Sequence, residues 1–361
     1  MNSDDTVTAS ATFPVPEYLD YREQVGPKRQ LWENNGWSIR GRDGDRDYLL
    51  WASPYLVQGV EGGTYRAGQF ALDQTLLITA PVDGPDELHD NEFIAIGWDP
   101  RDHRGWDELE VSGGDEAVTW RTPDRTYRIE PGSFTIGGRH AGVRTEITTT
   151  LAAPPMWFTD PSERFDVRAN RWWIASGAAQ GLIRVSREDI HVIDAHAVHE
   201  RHIHLGRVHD PVRLLAGGGV CWYTASSEDV RVAILARPSF GSAWAQVSIG
   251  QSSWEVTGNA ISIAEAGTWL DPQTGMLVPQ AWRLGIALPD GTEIDMRLSA
   301  RARAYYTWDF LVGGQTMLYW WLCSGSAEIR SAGPTRRLAD LTAEAHLNRT
   351  FSTRHDGQDG A

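Results

Sequence analysis

Residues Thr145–Leu151 read TEITTTL, and this stretch decides the fold class. Polar side chains at Glu146 and Thr148 alternate with the apolar Ile147 and, further along, Leu151. Successive side chains of a strand point to opposite faces, so alternation of this kind predicts a β-strand with one face toward water.

Short runs with strand character cover most of the chain. They are rich in β-branched and aromatic residues, and Gly, Asp and Pro, which favour turns, separate them. Asp290-Gly291, between two such runs, is a strong hairpin signal. The predicted strands are Tyr48–Tyr55, Thr64–Leu72, Thr75–Thr79, Glu92–Trp98, Ala117–Arg121, Thr126–Ile129, Arg144–Leu151, Arg171–Ala175, Gly181–Val185, Val220–Tyr223, Val230–Ala236, Ala243–Ile249, Ser253–Val256, Ala260–Ile263, Ala281–Ala287, Glu293–Ser299 and Met317–Cys323.

Helical spacing of apolar residues is scarce. Thr335–Leu347 (TRRLADLTAEAHL) places Leu338, Leu341 and Ala345 at helical intervals, but its composition also fits a last strand. Strands without helical partners form antiparallel sandwiches or barrels. We therefore predict an all-β fold with few helices.

The length of the chain, 361 residues, exceeds one small barrel and suits two β domains that share a face. A Pro-rich stretch at residues 153–161 indicates the boundary between them. We predict a flexible lead-in over residues 1–30, a first domain over 31–155, a second domain over 156–350 and a disordered tail over 351–361.

Acidic residues outnumber basic ones, 48 to 33, which gives a formal net charge of −15. Because phosphate binding needs clustered Lys and Arg, this charge argues against a nucleic acid or an anionic membrane as partner. No run approaches the roughly 20 apolar residues that would span a bilayer, and the polar N-terminal stretch lacks the apolar core of a signal peptide. We expect a cytoplasmic protein without a membrane span.

The chain contains 17 Trp residues, an unusual number. Indole rings give large, rigid apolar surfaces, so we predict a Trp-lined cavity for a large apolar small molecule. In a strand, the consecutive pairs Trp172-Trp173 and Trp320-Trp321 each place one ring on each face. One ring of each pair therefore has a structural role, in a core or a domain interface. The predicted substrate-binding residues are Trp51, Trp173, Trp222, Trp244, Trp282, Trp320 and His199.

Six of the 11 His residues cluster in one segment: His191, His196, His199, His202, His204 and His209. In a strand, His202 and His204 share one face, and His199 and Glu200 lie on opposite faces. The segment has three interpretations: acid/base or hydrogen-bonding groups in a cavity, a metal site of His202 and His204 with Glu200 or Asp194, or a structural role. The predicted catalytic residues are His202, His204, Glu200 and Tyr223.

Two segments resemble a known family. Ile193–Gly206 (IDAHAVHERHIHLG), followed by Gly219–Ala225 (GVCWYTA), is similar to the centre of the tandem lipocalin-like family. That family includes carotenoid hydratases (hydroxyneurosporene synthases), AttH-type proteins and fungal lipocalin-like Diels–Alderases. Leu318–Trp321 (LYWW) is similar to its final strands. The resemblance implies two antiparallel lipocalin-like (calycin) barrels packed together, and no metal; we expect no cofactor.

The chain departs from the motifs of that family. His204-Leu205-Gly206 stands where the hydratases have Asn-Trp-Gly, Thr224-Ala225 where they carry an Asp, and Trp321 where they carry a Glu. Hydration of an alkene needs a well-placed acid, so these departures argue against it. Our first hypothesis is therefore a cyclase or pericyclase, Diels–Alderase-like, acting on a polyene or polyketide-type intermediate of natural-product biosynthesis. The alternatives are a hydratase or lyase acting on a terpenoid or carotenoid alkene, with Asp194 or Glu200 as acid, and a non-catalytic binder of an apolar ligand.

Overall fold

The computed structural model describes residues 11–26, 28–60, 68–83, 89–90, 93–96, 103–158, 170–205, 220–227, 229–238, 241–310 and 314–352. These residues form two sheets, of 13 and 10 strands, and contain no α-helix. The strands are β1 Leu31–Asp43, β2 Arg46–Gly59, β3 Gly68–Pro81, β4 His89–Asp90, β5 Phe93–Ile96, β6 Arg104–Gly105, β7 Glu110–Gly114, β8 Ala117–Arg121, β9 Arg125–Glu130, β10 Ser133–His140, β11 Val143–Leu151, β12 Met156–Trp157, β13 Asn170–Val185, β14 Glu188–Leu205, β15 Cys221–Ser226, β16 Val230–Arg237, β17 Ser242–Ile249, β18 Ser252–Thr257, β19 Ile261–Leu270, β20 Leu277–Ala287, β21 Glu293–Phe310, β22 Gly314–Arg330 and β23 Arg336–Ser352. Short 3-10 helices span Val15–Tyr18, Arg22–Gln24, Trp106–Glu108 and Gly258–Ala260.

The two sheets share one plan. The first has the order β5-β3-β2-β1-β14-β13-β11-β10-β9-β8-β7, and the second β18-β17-β16-β15-β23-β22-β21-β20-β19. In each sheet the first long strand pairs with the last, β1 with β14 and β15 with β23, which curls the sheet around its own apolar interior. The predicted all-β class with two lipocalin-like barrel domains is confirmed.

The change from one sheet to the other comes later than the Pro-rich stretch predicts. β13 and β14 pair with β11 and β1, so the first sheet continues to Leu205; apart from the short β4, which pairs with β21, the second sheet begins at Cys221. The boundary predicted at residues 155–156 therefore falls inside the first sheet. Pro154 and Pro155 follow a bend at residues 152–153 and lie directly before the short strand β12, which pairs with β13.

The lead-in predicted to be flexible over residues 1–30 is folded from residue 11 onward. Phe13, Val15 and Tyr18 are buried inside the first barrel. The Trp120 indole N–H donates to the Tyr18 carbonyl oxygen at 2.8 Å. Residues 11–26 thus form a strap across one end of the barrel, because their apolar side chains complete its core.

The ambiguous segment near the C-terminus is strand, not helix. In β23, Leu341, Ala343 and Ala345 lie inside the second barrel, while Glu344 and His346 point to the other face. The strand continues to Ser352, and residues 353–361 of the predicted tail lie outside the described residues. Several predicted strands are fragments of longer ones: Arg171–Ala175 and Gly181–Val185 are both parts of β13.

The outer faces of the two sheets pack against each other, and we call this region the inter-sheet interface. One apolar cluster joins β2 and β3 to β21 and β22, and a second joins β13 and β14 to β15 and β16.

Both cysteines, Cys221 and Cys323, are buried and free. No helix among the described residues is long and apolar enough to cross a membrane.

Candidate functional site at the inter-sheet interface

From Ala195 to Leu205, strand β14 points alternate residues to opposite faces; a register shift separates this part from Val192. His199 and Arg201 point into the first barrel, where Tyr18 packs against both. Glu200 and His202 point the other way, toward the second sheet, and both contact Trp172. His199 and Glu200 therefore lie on opposite faces of β14, as their spacing in the sequence predicts.

A small cavity lies between the two sheets. Its volume is about 20 Å³, enough for a molecule the size of water. A larger ligand must therefore displace side chains in the wall. The cavity is lined by Ser38, Trp51, Val198, Glu200, Trp222, Thr224, Trp320, Glu344 and His346.

Aromatic rings form much of the cavity wall. The ring centroids of Trp51 and Trp320 are 5.0 Å apart, and Trp320 stacks on His346 at 4.0 Å. The Trp51 indole N–H donates to Gln74 Oε1 at 2.7 Å, which fixes its orientation. Trp51 also lies across the backbone of Gly36, and a Cβ at that glycine would overlap the indole ring. The absence of a side chain at Gly36 thus sets the position of this wall.

Glu200 is an acid held by neutral donors. Asn34 Nδ2 donates to its Oε2 and Trp172 Nε1 to its Oε1, each at 3.1 Å. Burial outweighs these two hydrogen bonds and raises the pKa of Glu200 to about 7. A carboxyl with this pKa is protonated in a large fraction of molecules at neutral pH, so it can donate a hydrogen bond or a proton.

Glu344 is an acid held by a cation. Arg40 Nη1 donates to Glu344 Oε2 at 2.8 Å, and the Ser38 and Thr224 hydroxyls donate to the same oxygen. Only 2% of the Glu344 surface is exposed. Since all three donors use Oε2, the other oxygen, Oε1, has no hydrogen-bond donor among the described residues and remains an acceptor beside the cavity.

His202 and His204 lie on the same face of β14, with ring centroids 6.4 Å apart. His202 stacks on Trp172 at 4.8 Å, and burial lowers its pKa to about 3. Burial also lowers the pKa of His204. Both rings are therefore neutral at physiological pH and can exchange hydrogen bonds, but neither supplies a cationic acid.

The structure brings together only some of the predicted site residues. Glu200, Trp51, Trp222 and Trp320 line the cavity, and His202, His204 and Trp244 lie on the inter-sheet side near it or packed at the interface. The others lie inside the barrels, where they serve as core: Trp173 and His199 in the first, Tyr223 and Trp282 in the second. Inside a barrel these side chains cannot reach a ligand in the inter-sheet cavity.

Apart from the Trp residues, sequence reasoning missed four of the five polar residues that line the cavity: Ser38, Thr224, Glu344 and His346. These four, and Arg40, which donates to Glu344, carry no motif. The one available signal was the alternation in residues 341–347, which separates Glu344 and His346 from their apolar neighbours. The described residues contain no group of three or more His, Cys, Asp or Glu that could hold a metal ion; His209 lies outside them.

No family model and no curated protein matches this chain, but solved structures do. An AttH-like protein from Nitrosomonas europaea is 14% identical with a TM-score of 0.51, covering 92% of this chain and 95% of that one. At the level of the fold, this chain is therefore tandem lipocalin-like. Kievitone hydratase from Nectria haematococca is 9% identical with a TM-score of 0.54, covering 95% and 94%. CghA with Sch210972 bound is 10% identical with a TM-score of 0.55, covering 96% and 99%. These tandem lipocalin-like structures confirm the predicted resemblance at the level of the fold.

Proposed function

We propose that the inter-sheet cavity is an active site in which the neutral carboxyl of Glu200 activates an apolar, unsaturated substrate for intramolecular cyclisation. One observation carries the proposal: an acid with a pKa of about 7 borders a cavity walled by Trp51, Trp222 and Trp320. A strongly perturbed carboxyl in a cleft is a frequent mark of a functional site.

The strength of the acid favours cyclisation over addition to an isolated alkene. A carboxyl with a pKa of about 7 is a weak acid, and an unactivated alkene is a very poor base. The same carboxyl is a good hydrogen-bond donor to a carbonyl oxygen, where it stabilises the charge that develops during ring closure. Once the substrate has displaced the wall side chains of this small cavity, the flat indole rings can hold a flexible chain near its reactive conformation, which lowers the barrier without a covalent intermediate.

Hydration is the second candidate, and Glu344 favours it. Its Oε1 atom borders the same cavity as Glu200 and can accept a hydrogen bond from water. A neutral acid and a hydrogen-bond acceptor at one cavity could add water across a conjugated, and therefore more basic, alkene. The structural likeness to kievitone hydratase agrees with this chemistry at the level of the fold.

The masses of accumulated intermediates distinguish these functions. We would compare the small molecules of the native host carrying the wild-type chain, Glu200→Gln or Glu188→Gln; Glu188 is an exposed acid on the same strand and serves as control. Cyclisation predicts that Glu200→Gln accumulates an isomer of the product. Hydration predicts a precursor lighter than the product by one water. Identical profiles for all three strains would contradict catalysis by Glu200 and favour a ligand carrier.

A further inference from the structure

The first barrel contains a buried charge that the proposed reaction does not use. Arg125, the first residue of β9, is 1% exposed. Its Nε, Nη1 and Nη2 atoms are all buried and have no hydrogen-bond partner. A guanidinium stays protonated in proteins and carries five N–H donors, so this arrangement leaves a full positive charge without a described counter-ion.

An acid in this part of the barrel, Asp73, already accepts two hydrogen bonds. The Tyr127 hydroxyl donates to its Oδ1 at 2.7 Å, and the Thr122 hydroxyl donates to its Oδ2. Burial raises the pKa of Tyr127, and the nearby guanidinium of Arg125 opposes that rise, which places Arg125 beside this group. None of the three Arg125 nitrogens reaches an acceptor among the described residues at hydrogen-bond geometry.

A second unpaired polar group lies across the sheet from Arg125. Register pairs Arg125 with Gly138 on β10, and Gly138 with Thr145 on β11. Thr145 is 0% exposed, and its hydroxyl also has no partner. Gly138 has no side chain, and a Cβ built there would lie 3.3 Å from Arg125 Cγ, so the arginine stem lies over this glycine. The two unpaired groups are thus about 10 Å apart at their Cα atoms, two strand spacings.

The energetic cost of this arrangement indicates a missing partner. An unpaired buried charge costs several kcal/mol, and native proteins rarely leave buried donors unsatisfied. Water can satisfy a hydroxyl such as that of Thr145, but it does not neutralise a guanidinium. A carboxylate does both, since its two oxygens match the planar fork of arginine and can also accept a hydroxyl proton.

We propose that the interior of the first barrel holds a second ligand site, in which Arg125 and Thr145 bind the carboxylate group of a small organic acid. The site lies inside the first sheet, on the opposite side of that sheet from the inter-sheet cavity. Its strap-covered end, where Phe13 N donates to the Pro131 carbonyl oxygen in the β9–β10 turn, is the end away from Arg125. The carboxylate belongs either to a short acid or to the head of a longer amphiphile.

The test measures thermal unfolding of the full chain against increasing acetate or octanoate, with sodium chloride at equal ionic strength as the reference. The wild type is expected to gain stability with at least one of the two acids. Arg125→Met should remove the gain, and Thr145→Val, which keeps the charge, should weaken the apparent affinity about tenfold. A gain with octanoate alone identifies a long-chain ligand, and a gain with both identifies a short acid.

Two results would overturn the site. One is a wild type whose unfolding temperature responds to neither acid beyond the chloride reference. The other is a crystal structure grown with acetate in which Arg125 pairs directly with Asp73. If Arg125→Met does not fold, Thr145→Val and the crystal structure still decide. Because Glu200 lies on the other side of the sheet, these outcomes are independent of the proposed cyclisation.

Discussion

Neighbouring polar residues on the two faces of β14 have different kinds of partner. On the inner face, Arg201 forms a buried ion pair with Glu33 and donates to the carbonyl oxygens of Glu17 and Asn34. On the outer face, one residue earlier, Glu200 has only the neutral donors of Asn34 and Trp172. Arg201 on the inner face thus has a counter-ion, and its contacts stabilise the fold. The outer acid has none, and its pKa rises to about 7.

This contrast separates structural from chemical polar groups better than burial alone. His199 and His202 are both removed from water, and burial lowers both pKa values. His199 is held inside the barrel by the Tyr18 hydroxyl at 3.0 Å, whereas His202 packs on Trp172 at the inter-sheet interface. Only the outer face can meet a ligand at the cavity.

The largest expected effect is the loss of activity on changing Glu200. Glu200→Gln keeps the shape and one of the two accepted hydrogen bonds, because its amide has a single acceptor oxygen, and it removes the acidic proton. Turnover should fall about 10²- to 10⁴-fold, the usual contribution of a general acid. The measurement is turnover on the isolated substrate, with Glu188→Gln as the control. A loss of less than threefold would remove Glu200 from the mechanism.

A substitution on the inner face of β14 should lower the stability of the fold rather than the turnover. Arg201→Met leaves Glu33 as a buried charge without its partner, so we expect the free energy of unfolding to fall by about 3–5 kcal/mol. Turnover per folded molecule should be unchanged. Denaturant titration provides the measurement, and Arg184→Met, which removes an exposed and solvent-screened ion pair with Asp189, should change the free energy of unfolding far less. Equal costs for the two variants would contradict the contrast between the faces.

Two glycines of β1 offer a matched pair. Gly36 abuts Trp51 in the cavity wall, and Gly41 abuts Tyr48 inside the barrel, where an added Cβ would lie 2.7 Å from the Tyr48 hydroxyl oxygen. Each Ala substitution overpacks its site and should cost about 1–3 kcal/mol. Only Gly36→Ala should also lower turnover, because it moves the Trp51 ring. Similar loss of turnover in Gly41→Ala would indicate a general effect of β1.

A further effect is on the pH dependence of stability. The pKa of Glu200 in the folded protein, about 7, lies above its ordinary value of 4.5. Between these pH values the folded protein keeps a proton that the unfolded chain releases, so stability falls as pH rises from about 4.5 to about 7. Glu200→Gln should remove this part of the slope in the difference between the two unfolding curves. Parallel curves would show that Glu200 has an ordinary pKa.

Much of the fold was predictable from residue alternation. The pattern of TEITTTL gave the antiparallel class, and the same period-2 rule placed Glu200, His202 and His204 on one face of β14. The domain boundary was not predictable, because proline marks a bend within a sheet as readily as a linker. The strap was missed since its apolar residues, such as Phe13 and Tyr18, are too few to show a period.

The site was only half predictable, for a physical reason. Alternation along a strand predicts which face a side chain lies on. It does not predict which residues of the other sheet contact that side chain. Glu344 and Arg40 are 304 positions apart and meet only because β23 packs across β1. Tyr223 was expected in the cavity as a hydrogen-bond donor and Trp282 as an aromatic wall, but the curl of the second sheet turns both inward.

The most direct test of the central claim needs no substrate. Carbon-13 labelling of the glutamate carboxyls allows their titration to be followed by NMR, and Glu200→Gln identifies the Glu200 signal by its loss. We expect one carboxyl signal that titrates with a midpoint near 7 and disappears in this variant. A Glu200 signal with a midpoint near 4.5 would show that the acid is ionised at neutral pH, and the proposed chemistry at the inter-sheet cavity would be wrong.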